Sequence, residues 1–130
     1  MRIRPVTGVS GDLEAPYLRM REAYGTSCVA DRMLALLAQL RKTLPGGVIW
    51  GFDDDLDLYL CRSRDVKSWF ISFHHRCDTY SFTCPLDQRE EPWLWIEGQV
   101  DSLTQAAEMV VRALEGRCSL SWDERQGKDK

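Results

Sequence analysis

The densest group of potential metal ligands in this sequence is a run of aspartates. Asp53, Asp54, Asp55 and Asp57 place four carboxylates within five residues. Mg²⁺ and Ca²⁺ need several oxygen ligands that converge on one point, and this run lacks the spaced ligands, central glycine and closing glutamate of a helix–loop–helix calcium site. Carboxylates on adjacent strand residues also point to opposite faces. We therefore interpret the run as a solvated hairpin turn.

A second group combines imidazoles and thiols, the ligands that zinc prefers. Its members are His74, His75, Cys77 and Cys84. The predicted strand register places His75 and Cys77 on one face with Cys84 diagonal to His75, but a fourth ligand and a C-x-x-C pair are missing from the sequence. A cysteine nucleophile would need a neighbouring base and a cleft, which no spacing here predicts. We expect core thiols, with no metal site, no cofactor and no catalytic residue.

Cations beside aromatic side chains could bind single-stranded nucleic acid by stacking on bases and pairing with phosphates. The residues of this kind are Arg62, Arg64, Lys67 and Arg76, next to Tyr59, Trp69 and Tyr80. Nearby aspartates dilute the positive field, and the formal net charge of −3 opposes phosphate binding. A sheet-based binder of nucleic acid or of a small ligand is therefore the alternative function.

Aromatic residues between acidic loops favour a protein-binding surface instead. Such residues are enriched at the energetic centres of interfaces, because they bury much area and lose little rotamer entropy. The acidic segments 53–57 and 87–91 would flank such a surface and steer a basic partner towards it. The residues predicted to bind the partner are Asp53, Asp54, Asp55, Asp57, Tyr59, Trp69, Tyr80, Glu90, Glu91 and Trp93.

The chain that must position these residues has 130 residues, of which 44% are hydrophobic and 28% are charged. It is expected to form one domain over residues 1–122, with an irregular arm over 1–12 and a charged tail over 123–130. No run of about 18 apolar residues predicts a membrane span, and the residues after Met1 do not resemble a secretory signal. Five cysteines without an export signal are typical of reduced thiols, so we expect a cytoplasmic location.

Helical periodicity predicts two main helices and one shorter helix. The short helix is expected over 13–24, and the apolar residues of 29–44 recur at the spacing of a longer, amphipathic helix. Ser102 and Gln105 have the spacing of a capping box, which predicts that the last helix begins there and buries an apolar stripe between 103 and 114.

Alternating apolar residues predict strands between the two main helices. The expected strands span residues 48–52, 56–61, 69–77, 80–84 and 93–97, and the same alternation over 118–122 suggests a short terminal strand. A two-residue turn at Asp78 would set Phe73 opposite Cys84, with Trp69 on the same face as Phe73.

Strands in an unbroken run, joined by short loops, predict an antiparallel meander. The expected fold is therefore α+β, with four to five antiparallel strands and two main helices packed on one face. Its element order is α-β-β-β-β-α-(β). The opposite face would be exposed unless a partner or the N-terminal arm covers it.

In overall form the chain resembles the small cytosolic immunity proteins that bacteria keep against contact-delivered toxins. The resemblance covers residues 27–122 and rests on a single acidic domain, a leading amphipathic helix, a Trp-rich meander and the strand-to-helix segment 93–114. It includes no diagnostic motif, so it transfers no functional residue. It implies a non-catalytic protein that neutralises a toxin or effector by stoichiometric binding, a description that phage-encoded inhibitors share.

Overall fold

The computed structural model describes residues 2–6, 12–25, 28–43, 46–74, 76, 79–85 and 95–116. Within these residues the strands are β1 (Arg2–Pro5), β2 (Val48–Asp54), β3 (Asp57–Cys61), β4 (Trp69–Phe73), β5 (Tyr80–Pro85) and β6 (Trp95–Val100). The helices are α1 (Ala15–Tyr24), α2 (Cys28–Thr43) and α3 (Leu103–Leu114), and a short 3₁₀ helix spans Val66–Ser68. No helix among the described residues combines the length and apolar character needed to cross a membrane.

The strands form one mixed sheet in the order β1-β2-β3-β4-β5-β6. The α+β class is confirmed, but the prediction of an antiparallel sheet of four to five strands is wrong. The N-terminal arm contributes β1, which pairs in parallel with β2. A parallel pair needs a long crossover between its strands, and α1 and α2 form that crossover. All other neighbouring strands pair antiparallel, as the meander predicts.

The three helices pack on one face of the sheet around a common core. The predicted stripe of α2 is confirmed by the burial of Met33, Leu36, Leu37 and Leu40, which belong to the same core as the sheet residues Ile49 and Phe73. Leu44, the last residue of the predicted stripe, lies outside the described residues.

Helix α3 begins as its sequence predicts. The Ser102 hydroxyl accepts from the Gln105 backbone N–H at 3.1 Å, and the Gln105 side chain accepts from the Ser102 backbone N–H at 3.3 Å, which completes the capping box. On the inner side of this helix, Ala106 and Val110 are fully buried. Arg62 holds the other end, where its guanidinium donates to the carbonyls of Ala113 and Leu114.

The turn of the β2–β3 hairpin lies later than predicted, because β2 ends at Asp54 instead of residue 52 and β3 begins at Asp57 instead of residue 56. Strand β2 continues through Asp54, and the turn consists of Asp55 and Leu56, whose φ values are 52° and 74°. Positive φ at both central residues is typical of a tight hairpin turn. The buried Tyr17 of α1 donates its hydroxyl to the Leu56 carbonyl at 2.9 Å, so the helix layer holds this turn in place.

The β4–β5 hairpin differs from the predicted register by two residues. Phe73 lies opposite Phe82 rather than Cys84, and Ser72 lies opposite Thr83. A slip of two residues keeps the paired side chains Phe73 and Phe82 on their predicted face, because strand side chains alternate with a period of two. Phe73 and Phe82 therefore both enter the core, with ring centroids 6.3 Å apart.

Trp69 lies on the face opposite to the predicted one. The ladder between β3 and β4 shifts register at Leu60 and Cys61, so that Leu60 pairs with Ile71 but Cys61 pairs with Trp69. A bulge of this kind breaks the alternation of side chains. It turns Trp69 towards Tyr59, away from Ile71 and the helices.

Two further predictions concern strands in the C-terminal part of the sequence. The strand predicted over 93–97 is present, but its bounds are Trp95–Val100. The terminal strand predicted over 118–122 lies outside the described residues, as do His75 and Cys77.

Candidate binding face of the sheet

Strand alternation gives the sheet two chemically different faces. Ile49, Leu58 and Phe73 point to the helices and are buried. The opposite face, here called the outer face, carries the residues between them in sequence, such as Trp50 and Tyr59. The candidate site lies on this outer face because five of the six strands contribute aromatic or charged side chains to it, and β5 contributes the hydroxyl groups of Ser81 and Thr83.

Four aromatic residues form the centre of the outer face on β2, β3 and β4. We call Trp50, Phe52, Tyr59 and Trp69 the aromatic patch. The rings of Phe52 and Tyr59 stack with centroids 4.8 Å apart and an interplanar angle of 6°, and Trp69 meets Tyr59 edge-on at 5.2 Å. Each of the four side chains is half-buried. The packed rings hold one another in place and still expose area to a partner.

The aspartate run is divided between the two faces. Asp54 and Asp57 pair across the β2–β3 hairpin on the outer face, and both raise the pKa of Tyr59, after the larger effect of burial. Asp53 lies on the helix side. The pKa of Tyr17 there is raised mainly by burial and next by the negative charge of Asp53. Among the described residues no group of three or more His, Cys, Asp or Glu could hold a metal ion.

Charge on the outer face is polarised. Arg2 and Arg4 are exposed on β1, in register with Val48 and Trp50. The carboxylates of Asp54 and Asp57 lie at the opposite end of the β2–β3 pair, next to the tight turn. The aromatic patch therefore separates a basic border from an acidic border.

A hollow of about 580 Å³, here called the polar hollow, adjoins the acidic border. The polar side chains that line it are Asp57, His74, Arg76, Ser81, Glu97 and Gln99. Among these residues Ser81 is buried, whereas Arg76, Glu97 and Gln99 are exposed. The lining thus combines a buried hydroxyl group with exposed polar and charged groups.

His74 connects three strands beside the polar hollow. Its Nε2 lies 2.9 Å from Thr83 Oγ1, and its Nδ1 lies 3.4 Å from Asp57 Oδ2. The order carboxylate, imidazole, hydroxyl is that of a base-activated nucleophile, which also needs donors for an oxyanion. Thr83 pairs with Ser72 on one side and Glu97 on the other, so the sheet ladder occupies its local backbone. We interpret the chain of hydrogen bonds as one that positions Asp57.

The two described members of the imidazole–thiol group, His74 and Cys84, lie on opposite faces of the sheet. Cys84 is buried on the helix side, whereas His74 lies on the outer face. His74 contacts Thr83 on the outer face, and Cys84 is the next residue along β5 after Thr83. Because side chains alternate along a strand, Cys84 points to the opposite face. His75 and Cys77 are outside the described residues.

Two residues of the predicted nucleic-acid surface have other partners. Tyr80 is only 7% exposed, and it lies on the helix side, where its hydroxyl donates to the Arg32 carbonyl at 3.4 Å. The Arg62 guanidinium covers the Phe70 ring at 5.1 Å while it caps α3. Arg64, Lys67 and Arg76 remain exposed at the surface.

The structure thus divides the residues predicted to bind a partner. It places Asp54, Asp57, Tyr59 and Trp69 together on the outer face, leaves Asp55 exposed in the turn, and puts Asp53 and Tyr80 on the helix side. Glu90, Glu91 and Trp93 lie outside the described residues.

Sequence reasoning missed Trp50, Phe52 and Arg4 as members of this site. The alternation of Val48, Trp50 and Phe52 predicts correctly that these residues share a face. It does not predict that this face is the outer one, because large apolar residues are also what a core requires. The sequence signal for the outward orientation is Gly51, which lies between Trp50 and Phe52 and faces the helix side. A Cβ at Gly51 would lie 3.0 Å from Leu13 Cδ1, so this is the closely packed face and the two aromatic residues occupy the other one.

A scan against protein-family models found no match for this chain. Searches of curated proteins and of solved structures found no significant match either.

Proposed function

We propose that this protein is a non-catalytic binding module that sequesters a protein partner against the outer face of its sheet. The immunity or inhibitor type of binding, in which one copy neutralises one toxin or effector, is the form that we favour. The observation that carries the proposal is the aromatic patch beside Asp54 and Asp57, on the face opposite to the helices.

The aromatic patch has the composition of an interface centre. Tyrosine and tryptophan dominate the binding energy of many interfaces, because they bury large areas with few rotatable bonds. The stacked and edge-on contacts of Tyr59 orient its neighbours before any partner arrives. Such preorganisation reduces the entropy lost on binding.

The charges around the patch favour a partner of mixed charge with a basic region. Asp54, Asp57 and Glu97 would attract that region, while Arg2 and Arg4 would face an acidic or neutral part of the same partner. Opposite charges across an interface increase the association rate and fix orientation.

The alternative, a sheet-based nucleic-acid binder, has weaker support. A phosphate backbone is uniformly negative and would meet Asp54 and Asp57 next to the aromatic patch. Tyr80 and Arg62, two residues that this alternative used, pack against the helix layer instead. Filter binding with single-stranded oligonucleotides over a range of salt would reveal it as a steep loss of affinity with ionic strength.

The direct test is complex formation with the product of the gene adjacent to the one that encodes this chain. We expect a stoichiometric complex by calorimetry and size-exclusion chromatography. Trp69→Ala should weaken binding by about 30-fold, as truncation at an interface centre does. Asp54→Lys, a change at an exposed position, should slow association about tenfold at low salt.

Leu18→Ala is the matched control, because Leu18 is 49% exposed on α1 in the helix layer. Circular dichroism and urea unfolding of each variant would show whether the fold is retained. Absence of a stable complex at micromolar concentrations would overturn the inhibitor proposal. Equal weakening by Leu18→Ala and Trp69→Ala would move the interface away from the outer face.

A further inference from the structure

We infer that the open edge of β6, the side that faces away from β5, pairs antiparallel with β6 of a second copy of this chain. Strand β6 ends the sheet, and β5 is its only neighbour among the described strands. The pairing follows a twofold axis perpendicular to the sheet and joins the outer faces of two copies into one surface. The inference goes beyond the proposed function, because it concerns an edge of the sheet and gives the chain a second copy as neighbour.

The two edges of the sheet differ in the features that prevent strand pairing. Natural proteins protect an edge with a short strand, with charged residues or proline on it, or with a bulge. The edge strand β1 has four residues, of which Arg2 and Arg4 are exposed, and it ends at Pro5. The edge strand β6 has six residues in an uninterrupted register with β5 and contains no lysine, arginine or proline. The sheet is therefore protected at β1 and suited to pairing at β6.

The backbone groups at the open edge belong to Glu97 and Gln99. The His74 N–H donates to the Ser81 carbonyl at 2.9 Å, so the hydrogen-bonding groups of Ser81 point towards β4. Such groups alternate in direction along an antiparallel strand, so the next residue of β5 points towards β6, where it pairs with Gly98. The residues on either side of Gly98 therefore direct their N–H and C=O groups away from β5, towards an added strand.

The charges on β6 select one register for pairing with a second copy. The hydrogen-bonding groups of the two strands meet only when the twofold axis passes through a residue and not between two residues. An axis at Glu97 would set this carboxylate against itself, and an axis at Gln99 would set Glu97 against Asp101. An axis at Gly98 sets Glu97 opposite Gln99 twice, and a carboxylate accepts from an amide. The strand is thus complementary to itself in the register centred on Gly98.

This register also keeps the two faces of the sheet chemically distinct. On the helix side, the buried Ile96 lies opposite the half-buried Val100 of the second copy. On the outer face, the exposed Glu97 and Gln99 lie opposite each other. Apolar pairs on one face and polar pairs on the other are what a continuous sheet with one covered face requires.

Helix α3 leaves space for the second copy. It packs on β4 and β5, inward of the edge. In the paired arrangement the two copies of α3 lie on the same side of the sheet, four strand spacings or roughly 19 Å apart. Packed helices approach to about 8–10 Å, so these two do not collide. Each copy uses its β6 once and the edge at β1 is protected, so the assembly closes as a dimer.

The first experiment is sedimentation equilibrium of the full chain from low to high micromolar concentration, with hydrogen exchange followed by NMR. We expect a reversible dimer, since six paired residues bury less area than a permanent interface does. Protection of the Glu97 and Gln99 amides should rise with protein concentration, whereas the Ile96 and Gly98 amides stay protected throughout. A monomer at every concentration would overturn the inference. Protection of residues 97 and 99 in the monomer would also overturn it, because another segment of the same chain would then cover the edge.

Opposite charges at position 99 test the register. Gln99→Glu would face Glu97 of the other copy twice in each dimer, so we expect dimerisation to weaken by about three- to tenfold. Gln99→Lys would form two ion pairs there and should strengthen dimerisation by about threefold. Ala23→Glu and Ala23→Lys, at an exposed position of α1, make the same changes in net charge and should leave it unchanged. Equal responses at both positions, or no response to either Gln99 variant, would exclude pairing through β6.

Affinity for the protein partner is measured separately from dimerisation. If no partner complex forms but the chain dimerises and responds to the Gln99 variants, the proposed function fails and the β6 pairing stands. If the chain stays monomeric and the Gln99 variants change affinity for the partner instead, β6 pairs with the partner and the inference is wrong.

Discussion

Burial raises the pKa of the Cys61 thiol from 9.0 to about 12, and a hydrogen bond with Ser68 and the charge of Asp65 modify that effect. A raised pKa in the folded state means that folding disfavours the thiolate. The stability from this group is complete below about pH 9 and is lost as the pH rises towards 12. Between pH 8 and pH 10.5, Cys61 should cost about 2 kcal/mol of unfolding free energy.

Urea unfolding of the parent protein and of Cys61→Ala at both pH values would measure this cost. Tyrosines and the other cysteines titrate in both proteins, so the difference between the two pH dependences isolates Cys61. The expectation is a flatter pH dependence for Cys61→Ala. Identical slopes would show that the thiol ionises as readily in the folded chain as in the unfolded chain.

The face that a side chain occupies was predictable where the alternation of residues along a strand decides it. The predicted strand over 80–84 already places Tyr80, Phe82 and Cys84 on one face, so burial of Phe82 implies burial of Tyr80. The choice of Tyr80 as a partner-binding residue ignored that parity. Trp69 could not be assigned in this way, because the bulge at Cys61 depends on tertiary pairing that no local pattern shows.

At the scale of elements, the capping box of α3 can be tested alone. Ser102→Ala removes the acceptor for the Gln105 backbone N–H, and we expect a loss of about 1 kcal/mol in the free energy of unfolding. Urea denaturation monitored by circular dichroism would measure it. Thr104→Ala is the control at an exposed position of the first turn, where alanine should be neutral or slightly stabilising. Equal losses from both variants would contradict the capping role.

Elements were predicted well where one period dominates, and their ends and register were not. Helices α2 and α3 show clear amphipathic spacing, and the structure has both. The β4–β5 register was wrong because it assumed a two-residue turn at Asp78, and turn geometry depends on backbone angles that residue types only bias. The face of Phe73 and Phe82 was nevertheless predicted correctly, because the register error was two residues.

At the scale of the whole molecule, Arg41 connects three elements. From α2 it donates to both Glu14 carboxylate oxygens at 3.1 Å and to the Ile3 carbonyl at 3.2 Å, which joins the start of α1 to β1. Arg41→Lys should lose about 1–2 kcal/mol of stability, because a lysine cannot make the paired bonds and the carbonyl bond together. Chemical denaturation would measure the loss, and Lys42→Ala, at an exposed position, should leave stability nearly unchanged. Equal stability of Arg41→Lys and the parent would contradict this role.

The overall topology was only partly predictable, because the position of β1 depends on tertiary contacts such as the hydrogen bond from Arg41 to Ile3. Segment 2–5 contains one aliphatic residue, Ile3, and ends in a proline, so it lacks the alternating run that identifies a strand. Its position depends on pairing with β2 and on contacts from the helix layer. The candidate site was predictable in its residue types and in part of its membership, but not in its outward orientation.

The parallel pairing of β1 with β2 also has a consequence for biosynthesis. Arg2 pairs with Val48, so this contact closes a much longer loop than any of the hairpins does. A ribosome releases β1 long before β2, and the nascent strand must wait for both crossover helices before it has a neighbour. A pause in translation before β2 is complete would therefore prolong the time during which Ile3 lacks its strand neighbour Ile49.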